Sequence, residues 1–335
     1  MKIDDLDRVD KERMYKTYDS WPDIARESYE NKFEKFDAKD IDHIVFSGMG
    51  GSGSIGDVIS AILSKKDIHV SIVKGYTLPR TVDSKTVIIA TSVSGNTKEV
   101  LEVLKIAKKT SAKIIGFSSG GDMENYCKKE DIIFHKIPMI HSPRASFTRF
   151  LYSILNILGP ILPLDKEEVL ESILTLQNTK KEIFSENLTV NNTALNLAEF
   201  TKDVVAVYYP AGFQSVAIRY KNCLQENTKI HAMTEDVIET CHNGIVSWEK
   251  ESLVRPVLIQ GKNDHEKTIE RWRIIEELFK GKKINYKKIN SIEGNILSKI
   301  VNLIYLLDYS TIYSAVLTDT DPTTVDSIRY IKSKV

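Results

Sequence analysis

The stretch IDHIVFSGMGGSGSIGDVISAILSKKD, residues 41–67, decides the fold class. Ile41 to Phe46 is a short β-rich run, and glycines follow at 48, 50, 51 and 53. Ile55, Val58, Ile59 and Ile62 then recur at helical spacing. The order is strand, glycine-rich turn, helix. TVIIATSVSGNTKEVLEVLKIAKKT (86–110) repeats it, with a helix face of Val100, Leu101, Val103, Leu104 and Ala107. Asn96 followed by Glu99 reads as a capping-box-like start for that helix. IHVSIVKG (68–75), AKIIGFSS (112–119) and DIIFHKIP (131–138) supply further strands. Strands alternating with helices predict an α/β fold, doubly wound, with a parallel sheet flanked by helices on both faces.

Working outward, residues 1–40 read as helix without strand, and a further helix is expected over about 146–158. The charged, Asn/Thr-rich segment 163–200 reads as helical connecting material. The alternation then resumes: DVVAVYYPAG (203–212), VRPVLIQGK (254–262) and INYKKINS (284–291) are strands separated by helical patterns. The predicted organisation is an N-terminal α/β subdomain over 1–155, a helical connection over 156–200 and a C-terminal α/β subdomain over 201–335. A chain of 335 residues suits this, since domains run about 100–200 residues.

Composition narrows the function classes. Lys and Arg total 46, as do Asp and Glu, so the formal net charge is zero. A duplex-binding protein needs a basic surplus to displace counterions, so no nucleic-acid partner is expected. Cys127, Cys223 and Cys241 are odd in number and lack CxxC spacing, which reads as reduced thiols rather than a disulfide framework or zinc site. The N-terminus is charged throughout and has no signal-peptide pattern. The most apolar long stretch, Ile300–Leu317, contains Asn302 and Asp308, which would be costly at mid-bilayer and favour a buried core helix. A cytoplasmic protein without a membrane partner is the expectation.

The run Gly48-Met49-Gly50-Gly51-Ser52-Gly53 spells the dinucleotide motif G-x-G-x-x-G. That motif also needs an acidic residue about 20 positions on, at the end of the second strand, to bind the ribose. Here that strand ends Ile72-Val73-Lys74-Gly75, which weakens an NAD reading. A P-loop is excluded because Ser54 and Ile55, not Lys, follow Gly53. The second turn, Ser92-Val93-Ser94-Gly95-Asn96-Thr97, places three hydroxyls and an amide at a helix start. Free N–H groups and partial positive charge suit such a helix start to a phosphate.

With GMGGSG and SVSGNTKEVL on the page, the sequence resembles the sugar isomerase (SIS) fold, which binds phosphosugars. SPRASF (142–147), YKNCLQENTKIHAM (220–233), ETCHNGIVSWE (239–249) and DPTTVDSIRYIKSKV (321–335) extend the likeness over nearly the whole chain. They resemble the archaeal-type bifunctional phosphoglucose/phosphomannose isomerases. The resemblance implies two SIS-type subdomains and isomerisation of glucose 6-phosphate, and of mannose 6-phosphate, to fructose 6-phosphate through a cis-enediol. No metal or redox cofactor is implied. It makes Glu226 the base, His242 the ring-opening acid/base reaching across a homodimer interface, and Arg144 the cation beside the enediolate. Lys332 is a second ring-opening group, with Lys334 as a competitor for that role. Ser92, Ser94 and Thr97 would hold the phosphate, with Gly51 and Ser52 close to the substrate. Thr323 or Thr324 would leave room at C2–C3. Docking of the last helix through Val325, Ile328 and Ile331 is required for Lys332 to reach the sugar. The alternatives are an amino-sugar phosphate isomerase on the same fold and a non-catalytic phosphosugar-binding protein.

Overall fold

The computed structural model describes residues 1–334; Val335, the last residue of the C-terminal block, lies outside the described residues. Three helices open the chain: α1 (Ile3–Val9), α2 (Met14–Asp19) and α3 (Trp21–Glu30). The first α/β series follows: β1 (His43–Ser47), α4 (Gly50–Leu63), β2 (His69–Val73), β3 (Thr86–Ser92), α5 (Lys98–Ala107), β4 (Lys113–Ser118), α6 (Gly121–Lys129), β5 (Ile133–Lys136) and α7 (Phe147–Ile157). Next come α8 (Lys166–Ile183) and α9 (Thr193–Phe200). The second series is β6 (Val204–Tyr209), α10 (Gln214–Cys223), a π-turn (Leu224–Thr228), β7 (His231–Asp236), α11 (Val237–Thr240), a 3₁₀ turn (Gly244–Glu249), β8 (Val254–Gln260), α12 (Glu266–Gly281), β9 (Lys287–Asn290), α13 (Ile296–Leu317) and α14 (Asp326–Lys332).

Two compact units result. One is Ser20–Ile173; the other combines Met1–Asp19 with Leu174–Val335. The sequence reading kept residues 1–19 with the first subdomain, whereas here they group with the second. The cause is local. Tyr305 Oη donates to the Tyr18 carbonyl at 2.8 Å, and Tyr309 Oη to Asp19 Oδ1 at 2.6 Å. Asp19 also accepts the Ser185 N–H at 3.1 Å. Two residues on, Trp21 belongs to the other unit, where its indole N–H donates to the Ala145 carbonyl at 2.9 Å.

In the Ser20–Ile173 unit all five strands are parallel, in the order β2-β1-β3-β4-β5. The residues of β1 and β3 are buried throughout, as expected of strands covered by helices on both faces. Val45, Val73 and Ile88 pack with Val103 and Ala107 of α5, while Ala90 packs with Val100, Leu104 and α6 residues Met123 and Cys127. The chain leaves β1 toward β2 on one side and later returns to place β3 on the other. The crevice between β1 and β3 is therefore the topological switch point, where ligands of such sheets bind.

The second unit repeats this logic with four parallel strands, β7-β6-β8-β9. β7 escaped the sequence reading. It is an edge strand with alternating exposure, HAMTED, and lacks the apolar run that marks the others. Behind the sheet lies α13, with 18 of its 22 residues buried, as expected of a core helix. Its polar residues are anchors. Asn302 Nδ2 donates to Thr179 Oγ1 at 2.7 Å, and Asp308 Oδ2 accepts from Arg219 Nη2 at 2.6 Å and Nε at 3.0 Å. Arg219 and Asp308 are 1% and 0% exposed, so each depends on the other. Arg219→Met would strand a buried carboxylate and cost about 3–5 kcal/mol. Urea denaturation checks this: the midpoint falls sharply for the single variant and recovers largely in Arg219→Met/Asp308→Leu.

Candidate active site

Both glycine- and hydroxyl-rich turns leave the C-terminal ends of neighbouring strands, and they touch. Ser52 Oγ, on the first turn of α4, accepts the Val93 N–H at 3.1 Å. Ser92 Oγ shares a 2.7 Å hydrogen bond with Thr97 Oγ1 and accepts the Gly95 N–H at 3.1 Å. Ser94 Oγ accepts from Asn96 N at 3.3 Å. Thr97 is the N-cap of α5 but makes no side-chain cap bond, because its hydroxyl is turned to Ser92. Thr97 thus does not close the start of α5 with its side chain, and a helix N-terminus carries the partial positive charge that suits an anion.

Asn96 does not cap α5, contrary to the sequence expectation. Its Oδ1 accepts the Asp122 N–H at 3.0 Å, and the Gly95 carbonyl accepts the Met123 N–H at 2.9 Å. These bonds lace the loop after β3 to the first turn of α6. Gly95 has φ +75°, and a β-carbon there would sit 1.8 Å from the Gly120 carbonyl oxygen. No other residue fits without moving one loop.

A third segment closes on the first turn. A β-carbon at Gly51 would meet the Pro143 carbonyl oxygen at 3.1 Å and Arg144 Cα at 3.3 Å. The SPRASF loop is held by Ser146, whose Oγ accepts the Ile140 N–H at 2.8 Å, and by Trp21 through Ala145. Arg144 is 5% exposed. The Ser20–Ile173 unit thus brings together Gly51, Ser52, Ser92, Ser94, Thr97 and Arg144. Lys74, where a dinucleotide fold would carry its ribose-binding carboxylate, is engaged with Asp57 Oδ2 at 2.6 Å. The position therefore offers a paired lysine rather than the carboxylate that the dinucleotide motif requires.

Glu226, His242 and Lys332 belong to the other unit. Glu226 is half-buried on the π-turn that continues α10. Such i→i+5 segments recur at functional sites because they break the helical register and re-present one side chain. Asn227 Nδ2 pins this turn to α13 through Thr311 Oγ1 at 2.7 Å. His242 is exposed on a short excursion fixed at both ends. Asp236 caps α11 through the Ile238 N–H at 2.8 Å, and the Trp248 indole N–H donates to Tyr208 Oη at 3.0 Å. Burial pushes the neighbouring Cys241 thiol up and Cys127 to about 11, so neither offers a thiolate nucleophile near neutral pH.

The C-terminal expectation is corrected in part. Every residue of α14 is exposed, with Ile328 at 38%, Tyr330 at 66% and Ile331 at 61%. The helix does not dock through Ile328 and Ile331 within this chain; seven residues with an uncovered apolar face bury too little to hold themselves down. Lys332 ends that helix, while the Lys334 ammonium lies 5.8 Å over the Tyr330 ring. Thr323 is buried and Thr324 exposed. Lys229, for which the sequence suggests no role, bonds the Glu226 turn to the loop before α14. Its only sequence signal was its place three residues after Glu226.

A parallel sheet with a hydroxyl- and amide-lined anion cradle at its switch point defines a phosphosugar-binding protein of the sugar isomerase class. Residues 39–158 match the SIS domain family, and residues 190–335 match the bacterial phospho-glucose isomerase C-terminal SIS domain. A bifunctional phosphoglucose/phosphomannose isomerase of Caldicellulosiruptor bescii is 32% identical, over 96% of this chain and 98% of that one. A relative of the same name from Aquifex aeolicus is 28% identical over 92% and 96% of the two chains. A D-glucosamine-6-phosphate 4-epimerase of Sulfolobus acidocaldarius is 27% identical over 69% and 72%. Among solved structures, the C-terminal domain of glucosamine-fructose-6-phosphate aminotransferase from Francisella tularensis shares the fold at 17% identity. Its TM-score is 0.69, over 92% of this chain and 96% of that one. The chain belongs to the bifunctional phosphoglucose/phosphomannose isomerase family.

Gly95→Ala should displace the cradle. The expected outcome is a roughly tenfold or greater loss of affinity for inorganic phosphate, read as loss of phosphate-dependent thermal stabilisation. Unchanged stabilisation would mean the anion binds elsewhere.

Proposed function

We propose that this protein interconverts glucose 6-phosphate and mannose 6-phosphate with fructose 6-phosphate. The observation that carries the reading is the Ser52–Val93 contact, which joins the two turns into one anion cradle at the β1/β3 crevice. In this scheme N–H groups and hydroxyls of Ser92, Ser94 and Thr97 hold the phosphate, and Gly51 and Ser52 lie beside the sugar. His242 and Lys332 open the ring by moving a proton between the ring oxygen and the C1 hydroxyl. The Glu226 carboxylate takes the C2 proton of the open aldose, leaving an enediolate. It returns that proton to C1 while the C2 hydroxyl proton passes to the C1 oxygen, giving the C2 carbonyl and C1 hydroxyl of the ketose. The Arg144 guanidinium keeps its charge at any working pH and offsets the negative charge that develops on the enediolate oxygens.

His242 is proposed to serve the site of a second copy in a homodimer. Its exposed position supports this, as do the exposed apolar side chains on nearby elements: Met233, Ile238, Val246 and Leu253, at 51%, 37%, 56% and 76%. Monomer surfaces seldom gather such groups without a partner.

Coupled assays of both hexose phosphates, with and without EDTA, test the reaction; glucosamine 6-phosphate is assayed in parallel. Turnover of glucose 6-phosphate and mannose 6-phosphate is expected. Activity confined to glucosamine 6-phosphate would replace the reading with the amino-sugar alternative. Glu226→Gln should lose about 10²–10⁴ in kcat, with substrate affinity largely kept. Mixing Glu226→Gln and His242→Ala chains should restore about a quarter of wild-type activity, because half of randomly paired dimers then hold one intact shared site. No restoration would place His242 in the site of its own chain.

A further inference from the structure

The turn that carries Glu226 is held by a cation that the scheme above leaves unused. Lys229 follows the π-turn with φ +58°, a left-handed conformation in which glycine is the low-cost residue. Its ammonium lies 2.6 Å from the Glu226 carbonyl oxygen and 3.4 Å from that of Asn227. These carbonyls stand at the end of a helix, where the aligned peptide dipoles give them partial negative charge. The same ammonium reaches the Asp321 carbonyl oxygen at 3.0 Å. Asp321 in turn organises the loop before α14: its carboxylate accepts the Thr323 N–H at 2.8 Å, and its carbonyl accepts the Thr324 hydroxyl at 3.4 Å.

We propose that Lys229 is a positioning residue for the isomerisation, a strut that sets the Glu226 turn against the Asp321–Thr324 segment. The proposal rests on the reading of Glu226 as the base. A glycine would satisfy the backbone at this position better. The sequence instead keeps a long side chain that spans from one segment to the other. Asn227 pins the turn to α13 and Lys229 pins it to the C-terminal segment, so the turn is fixed from two directions.

A lysine that merely capped the helix would be replaced by glycine without harm, because relief of the left-handed strain at this position offsets the lost bonds. Lys229→Gly therefore separates the two roles. As a strut, its loss should lower kcat about 10–100-fold, the cost of a misplacement on the order of 1 Å. KM should move less than about threefold, since the phosphate cradle belongs to the other unit, and the melting temperature should stay within a few degrees. Lys229→Arg should recover most of the rate, because a guanidinium still donates to carbonyls. Should the glycine variant unfold, Lys229→Met, which keeps the aliphatic stem, is read by the same criterion. Wild-type kcat in a folded Lys229→Gly or Lys229→Met enzyme overturns the strut. Glu226→Gln is measured beside them. If it is inactive while the Lys229 variants are fast, the strut alone fails. If it is active, the base assignment fails, and the strut's stated purpose with it.

Discussion

Parallel strands end on the same side of their sheet, and right-handed crossovers decide which neighbours part company there. In the order β2-β1-β3-β4-β5 the parting falls between β1 and β3. That constraint places the GMGGSG and SVSGNT turns side by side before any side chain is considered. The Ser52–Val93 hydrogen bond then turns adjacency into a single surface. The uncapped start of α5, the crossing of Gly95 beneath Gly120 and the approach of Arg144 to Gly51 are refinements of it. The proposed phosphate would meet dipoles that are already oriented there, so its binding would need little reorganisation.

The second unit solves a different problem, which is to hold a carboxylate steady on an irregular segment. A π-turn gives up regular i→i+4 bonding and needs outside support. That support comes from α13, whose buried polar residues would be liabilities in an ordinary core helix. Thr311 holds Asn227, and Asp308 holds Arg219 on the helix leading into the turn. Asp308, one of the two interruptions that argue against a membrane span, thus also braces the helix that leads to the candidate base.

Much of this was legible in the residues. Continuous apolar runs such as Ile44–Phe46 and Val87–Ala90 announce strands buried on both faces, and glycine or serine clusters after them announce the turns. Legibility failed where exposure or distant partners decide. β7 is a half-exposed edge strand, so its six residues carry no hydrophobic signature. Asn96 has the chemistry of a helix cap, but the first turn of α6, 26 residues downstream, claims it. Ile328 and Ile331 have the spacing of a docking face, and in this chain nothing covers them. The roles of Glu226, His242 and Lys332 came from likeness to a family rather than from local pattern, because an isolated Glu, His or Lys on a helix end is usually just solvated.

The pairing of the first nineteen residues with the second unit has a consequence for how the molecule is made. Tyr18 hydrogen-bonds Asp308 at 3.3 Å, across 290 positions of sequence. On the ribosome α1 and α2 emerge well before α13, the surface on which they pack. The Ser20–Ile173 unit can close on its own while α1 and α2 wait, with Leu6, Met14, Tyr15 and Tyr18 still in water. The apolar side chains of α1 and α2 therefore lack their final packing surface until α13 has been made.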